Sequence, residues 1–163
     1  MSQSHLAIRA LIEQNSIRRT HGEGGIMAAW QFDLYFTLRG STAPDTSIPD
    51  CEPVLPAPVT YALQEDFVHY LGCPWFMLPD WLVFGPENGN RIDFNFFDAG
   101  DAIVQVRLDT RDEAPQFVVL IADLAKLHGC VLFNADSGEF VPADRDRLNE
   151  AIVLREAQLL GLR

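Results

Sequence analysis

Between Trp30 and Leu38 apolar and polar side chains alternate without a break. Trp30, Phe32, Leu34, Phe36 and Leu38 take one phase, and Gln31, Asp33, Tyr35 and Thr37 the other. Successive side chains leave an extended chain on opposite sides, so a period of two buries one face only in a strand. The alternation recurs at Ile92, Phe94 and Phe96 against Asp93 and Asn95. It recurs again at Ala102, Val104, Val106 and Leu108 against Ile103, Gln105, Arg107 and Asp109. Segments of this kind need a sheet with one covered face. Gly85-Pro-Glu-Asn-Gly-Asn90 reads as a turn, and Asp98-Ala-Gly-Asp101 as a hairpin signal. With a short strand at 81–85, the segments 81–85, 91–97 and 102–109 predict an antiparallel meander.

The cover comes from segments of helical period. Leu63, Phe67, Tyr70 and Leu71 share a face if 61–71 is helical, and Gly72 supplies a stop. Pro115 opens a second helix to His128, with Phe117, Leu120, Ile121, Leu124 and Leu127 as its stripe and Gly129 after it. A short strand at 130–133, a turn at Asp136-Ser-Gly138 and a return strand at 139–141 follow. A closing helix over 143–160 sets Leu148, Ala151, Ile152, Leu159 and Leu160 on one side. The expected fold is α+β, a mainly antiparallel sheet with helices packed on one face. Residues 41–60 hold five of the ten prolines and read as a long loop. The stretch from Cys73 to Phe84 is aromatic but cut by Pro74 and Pro79, and only 81–85 reads as a strand.

At 163 residues the chain has the length of one domain. Thr20-His-Gly-Glu-Gly-Gly25 breaks off what precedes it. Residues 1–26, with a short helix from Ser4 to Gln14, are expected to be a loosely attached extension, and 27–163 a single α+β domain. Glu65–Phe76 and Ala122–Phe133 echo each other at Asp, Gly, Cys and Phe, both as helix–Gly–Cys–strand junctions. This is compatible with an old duplication and equally with repeated turn chemistry.

Charge narrows the partners. The net charge is −11, and residues 27–163 hold 9 basic against 21 acidic side chains. Seven of the acids (Asp45, Asp50, Glu52, Glu65, Asp66, Asp80 and Glu87) lie between residues 40 and 90, which contain no Lys or Arg. Phosphate backbones and anionic membranes need clustered cations, so neither nucleic acid nor membrane is expected as a partner. A basic protein is. No apolar run approaches the length of a membrane span, and Met-Ser-Gln-Ser-His lacks the layout of a signal peptide. Cys51, Cys73 and Cys130 form no C-x-x-C pair. A cytoplasmic protein with reduced thiols is the expectation.

The residues that could carry chemistry have structural readings as well. His5, His21, His69 and His128 lack metal-ligand spacing, and the last two fall at helix ends, where imidazole suits the dipole. His21-Gly-Glu-Gly-Gly25 has neither the preceding strand nor the following Lys of a phosphate loop. No serine sits in a nucleophile elbow. Cys73 and Cys130, each beside a glycine at a strand start, read as small buried thiols. Asp93, Asp98, Asp101 and Asp109 surround one hairpin. They could act as general acid and base, or Arg107 could partner Asp93 and Asp109 while Asp98 and Asp101 shape the turn. No catalytic, metal or cofactor residue is assigned.

Surfaces remain. Asp93, Asn95, Gln105, Arg107 and Asp109 should form a polar sheet face opposite the helices, exposed unless a partner covers it. Trp75 and Trp81 flank Asp80, either as core residues or as aromatic anchors for a basic partner. The candidate partner-binding residues are therefore Asp80, Trp81, Glu87, Asp93, Asn95, Asp98, Asp101 and Arg107. The order Val106-Arg-Leu-Asp109, a helix ending Leu127-His-Gly-Cys130, then Val131-Leu-Phe-Asn-Ala-Asp-Ser-Gly-Glu-Phe-Val-Pro142 and a closing helix resembles small bacterial immunity proteins of polymorphic toxin and type VI secretion systems. Phe32-Asp-Leu-Tyr-Phe-Thr-Leu38 is similar in style to their first strand. The resemblance implies a non-enzymatic cytoplasmic antidote that binds a cognate toxin and occludes its active site. An adaptor or chaperone for a secreted effector, and an enzyme with an unrecognised carboxylate site, are the other readings.

Overall fold

The structure, a computed structural model, describes residues 30–49 and 51–162. The proposed extension 1–26, its helix, His5 and His21 lie outside the described residues. Seven strands form one antiparallel sheet: β1 (Gln31–Leu38), β2 (Trp75–Leu78), β3 (Trp81–Phe84), β4 (Arg91–Phe96), β5 (Ala102–Asp109), β6 (Cys130–Asn134) and β7 (Glu139–Val141). Their order is β2-β3-β4-β5-β1-β6-β7. Three helices, α1 (Ala57–Leu71), α2 (Pro115–Leu127) and α3 (Arg145–Leu159), complete an α+β fold. The meander expected from the sequence is β3-β4-β5, and β1 pairs on the far side of β5 with Phe32 opposite Leu108 and Leu34 opposite Val106.

One phase of the alternation becomes the core. Phe32, Leu34, Phe36, Leu82, Phe84, Ile92, Phe94, Val104, Val106 and Leu132 are buried against Leu63 and Phe67 of α1, Ile121 and Leu124 of α2, and Leu148 of α3. Phe67 is a hub. Its ring centroid lies 6.2 Å from Phe36, 5.7 Å from Phe84 and 6.0 Å from Phe94, in tilted and edge-on arrangements favoured by the ring quadrupole.

Two expectations change. The first helix begins at Ala57 rather than Tyr61, because Pro58 sits in its first turn, where its missing N–H costs nothing. The loop is correspondingly shorter and ends in an anchor: Leu55 is buried and bridges Ala102 through paired backbone hydrogen bonds of 2.8 and 3.0 Å. In addition, 75–78 is a strand, β2, at the sheet edge. Pro74 and Pro79 bound it rather than prevent it, since a proline just outside an edge strand removes no ladder bond.

Candidate functional site

The second phase of the alternation builds the sheet face away from the helices. Arg107 on β5 lies between Arg91 on β4 and Asp33 on β1 in register, with Asp93 one step along β4 opposite Gln105. Cross-strand Cβ atoms are about 5 Å apart, so four charged side chains converge. Arg91 Nε lies 3.0 Å from one Asp93 carboxylate oxygen, and its guanidinium also donates to the other and to the Glu87 carbonyl. Arg107 lies 3.5 Å from Asp33 and 3.9 Å from Asp93. Gln31 donates to Asp33 at 2.8 Å.

This face is not the exposed polar surface expected from the sequence. Asp93 is 0% exposed, Arg91 2% and Asp33 5%, and Val83, Thr37 and Phe133 on the same face are also buried. Short carboxylates sink beneath the longer arginine and tryptophan side chains of neighbouring strands. The proline-rich loop also runs past one end of the face. The Thr46 methyl would lie 3.9 Å from a Cβ at Gly138 in the β6–β7 turn, and burial, joined by the charges of Asp33 and the loop's Glu52, raises the Tyr35 phenol. Burial pushes the Asp33 and Asp93 carboxyls above their ordinary values, against the opposing pull of Arg107 on Asp33 and of Arg91 and Arg107 on Asp93.

A raised pair of carboxylates in a cleft would suit acid–base chemistry. Here Asp93 is closed off and both acids face arginines, so the arrangement is that of an internal ion-pair network. The sequence suggests Arg107 as a partner of Asp109 as well as of Asp93, but the close ion pair of Asp109 is with its neighbour Arg111. Arg111 takes its carboxylate with contacts of 2.7 and 2.9 Å, and its guanidinium also stacks 4.1 Å from the Trp30 ring centroid. A polar groove of about 400 Å³ next to the network carries Arg107 and Arg111, balanced by Glu87 and Asp109. Among the described residues no group of three or more His, Cys, Asp or Glu side chains is placed to hold a metal ion. No helix among them is long and apolar enough to cross a membrane.

The candidate partner-binding residues separate accordingly. Asp80 and Glu87 stand exposed in the β2–β3 and β3–β4 turns, and Asp98 is exposed at the tip of the β4–β5 hairpin. Asn95 and Trp81 face each other across β3 and β4, both half-buried. Asp93 offers no surface, and Arg107 is largely spent on Asp33 and Asp93. Asp101 is committed to the fold: its carboxylate accepts the Ala57 backbone N–H at 2.8 Å, serving a donor that the first turn of α1 leaves unsatisfied. Of the histidines, His128 closes α2 and pairs with Asp66 of α1 at 2.6 Å, while His69 is exposed near the end of α1. Cys130 is buried, which pushes its thiol up to about 11. Cys73, expected to be buried, is exposed, because Gly72 at φ 85° turns the chain out toward the sheet edge.

Sequence reasoning missed a different surface, on α1 and β2. Thr60, Leu63 and Phe67 point α1 into the core, and Asp66 faces the α2–β6 junction through His128. At 100° per residue Val68 and Leu71 then lie on the flank turned toward β2, while the Tyr61 ring reaches Gly100 of the β4–β5 hairpin. All three are exposed. Phe76 of β2 is opposite the core residue Leu82, hence on the helix side, yet is 66% exposed; Leu78 is 54% exposed. The available signal was the apolar run Trp75-Phe-Met-Leu78, discounted for its prolines. Comparison with known proteins returns no matching family model, no curated relative and no similar solved structure.

Proposed function

We propose that this chain is a protein-binding domain that acts as an immunity protein: it neutralises a cognate bacterial toxin by forming a stoichiometric complex in the cytoplasm. The observation that carries the reading is the coincidence of two properties in one stretch. Residues 40–90 have seven acids and no Lys or Arg, and the same residues build α1, β2 and β3 with Val68, Leu71, Phe76 and Leu78 left uncovered. An apolar patch with an acidic surround matches a partner surface that is apolar at its centre and basic around it. On the opposite face Asp33, Asp93, Arg91 and Arg107 are spent on ion pairs with one another. This supports inhibition by binding rather than by chemistry.

The test is affinity capture of the tagged full chain from its native cells at low salt, then expression of the captured protein alone and together with this chain. One stoichiometric partner that is toxic alone and silent in company is the expected result. The uncovered apolar side chains also favour a second reading, an adaptor for a secreted effector, whose binding would persist at high salt. Capture of a secretion component without toxicity would support that reading and refute immunity.

A further inference from the structure

The edge strand itself is unusual for an acidic, well-paired sheet. Among the described residues β2 has a neighbour on one side only, β3, so its outer edge presents backbone N–H and C=O groups to solvent. Edges are normally blunted by lysines, inward-pointing charges or a covering element. Here the strand is Trp75-Phe-Met-Leu78, without a charge, and Phe76 and Leu78 are bare. Two blunting devices are present: the strand is four residues long, and its register shifts between Phe76 and Leu78. These limit promiscuous pairing and restrict any added strand to a short one.

We propose that β2 is a docking edge, on which a basic, extended segment of a partner protein pairs as an eighth strand of the sheet. The inference rests on the protein-binding reading above and names its surface and mode. Side chains on one side of the added strand would meet Phe76 and the Val68–Leu71 flank of α1. Those on the other side would meet Leu78 and Trp75, since Trp75 and Leu78 are opposite Val83 and Trp81 of the other face. Asp80 stands at one end of β2. The Trp75 end is tied by its indole N–H, which donates to the Gly85 carbonyl at 2.8 Å, to the turn that carries Glu87. Glu87 itself lines the groove of Arg107 and Arg111, so Asp80 is the carboxylate at the strand, and α1, β2 and β3 supply no Lys or Arg to offset it. That charge pattern selects a basic occupant. It also disfavours a second copy of this chain, whose net charge of −11 would meet the same acidic, cation-free elements.

The test is selection of a displayed random-peptide library on the full chain, followed by hydrogen exchange with the enriched peptides bound. The expected peptides alternate basic and apolar residues. They slow exchange at 75–78 and lose about tenfold in affinity to Phe76→Lys/Leu78→Lys, both exposed positions where the fold should persist. Phe140→Lys, on the opposite edge strand, should change nothing. Peptides without basic character, protection elsewhere, equal binding to the double variant, or no enrichment each overturn the docking edge. So does protection of 75–78 by self-association without peptide. A toxin neutralised equally well by the double variant would overturn this mode while leaving the immunity reading intact. Peptide binding at β2 with no toxic partner would do the reverse.

Discussion

Arg91 has its guanidinium closed in by Asp93 and the Glu87 carbonyl, and only 2% of the residue reaches solvent. Removing one side of such a pair leaves a buried charge that water cannot reach. Arg91→Met should therefore cost about 3–5 kcal/mol of unfolding free energy in a denaturant titration. An exposed pair such as Arg147 with Glu150 should cost less than about 1 kcal/mol when broken. The pH dependence has a definite sign. Burial raises Asp93 in the folded chain, so between the unfolded and folded values the folded state holds the extra proton. Stability from this site is then present below the unfolded value and lost as pH rises through the folded one. Relative to Asp93→Asn, the unmodified protein should lose ground on going from pH 3 to pH 7. A constant difference between the two melting curves would contradict the raised carboxyl. Asp93 and Arg107 were legible as one sheet face from their alternation. Asp33 was not, because its place opposite Arg107 depends on β1 lying beside β5, a pairing between segments some seventy residues apart.

The elements were read best where period and punctuation agreed. β4, β5 and α2 combine unbroken patterns with Gly or Pro at their ends, and their observed bounds differ from expectation by a residue or so. α1 and β2 were misjudged where proline carried the decision, since proline at a helix start or beside an edge strand is compatible with both. The echo between 65–76 and 122–133 extends at the backbone only to a positive φ at Gly72 and Gly129, 85° and 67°, since Gly72 directly caps its helix whereas Gly129 follows the cap His128. Its consequences diverge through topology: β6 pairs with the central β1 and buries Cys130, while β2 is an edge and leaves Cys73 out. At this scale α1 depends on a residue far along the chain. Asp101→Ala removes the acceptor of the Ala57 N–H and should cost about 1 kcal/mol, measured by chemical denaturation. Asp98→Ala, three residues away at an exposed turn position, should be neutral within about 0.5 kcal/mol.

For the molecule as a whole, charge is distributed so that α1, β2 and β3 contain no Lys or Arg while the opposite sheet face pairs its own acids with arginines. Long-range fields act on encounter, whereas buried contacts act on lifetime. Asp80 and Glu87 are exposed turn residues, Asp80 at the end of the uncovered apolar edge and Glu87 on the groove of Arg107 and Arg111, and the Glu87 carbonyl that serves Arg91 belongs to the backbone, so neither side chain is part of the buried network. With the captured partner, Asp80→Lys/Glu87→Lys should slow association about tenfold at low salt and flatten its dependence on ionic strength, with dissociation little altered. Trp81→Ala is a different experiment. Its indole is half-buried with the N–H sunk in the same face as Asp93, so truncation should lower stability before it touches a partner. The control for field rather than contact is Asp123→Lys/Glu139→Lys, the same change of net charge placed on α2 and β7. If that pair slows association as much as the first, net charge alone steers the partner and the cation-free elements have no special part in recognition. A large effect confined to Asp80 and Glu87 would locate the encounter at the turns on either end of β3.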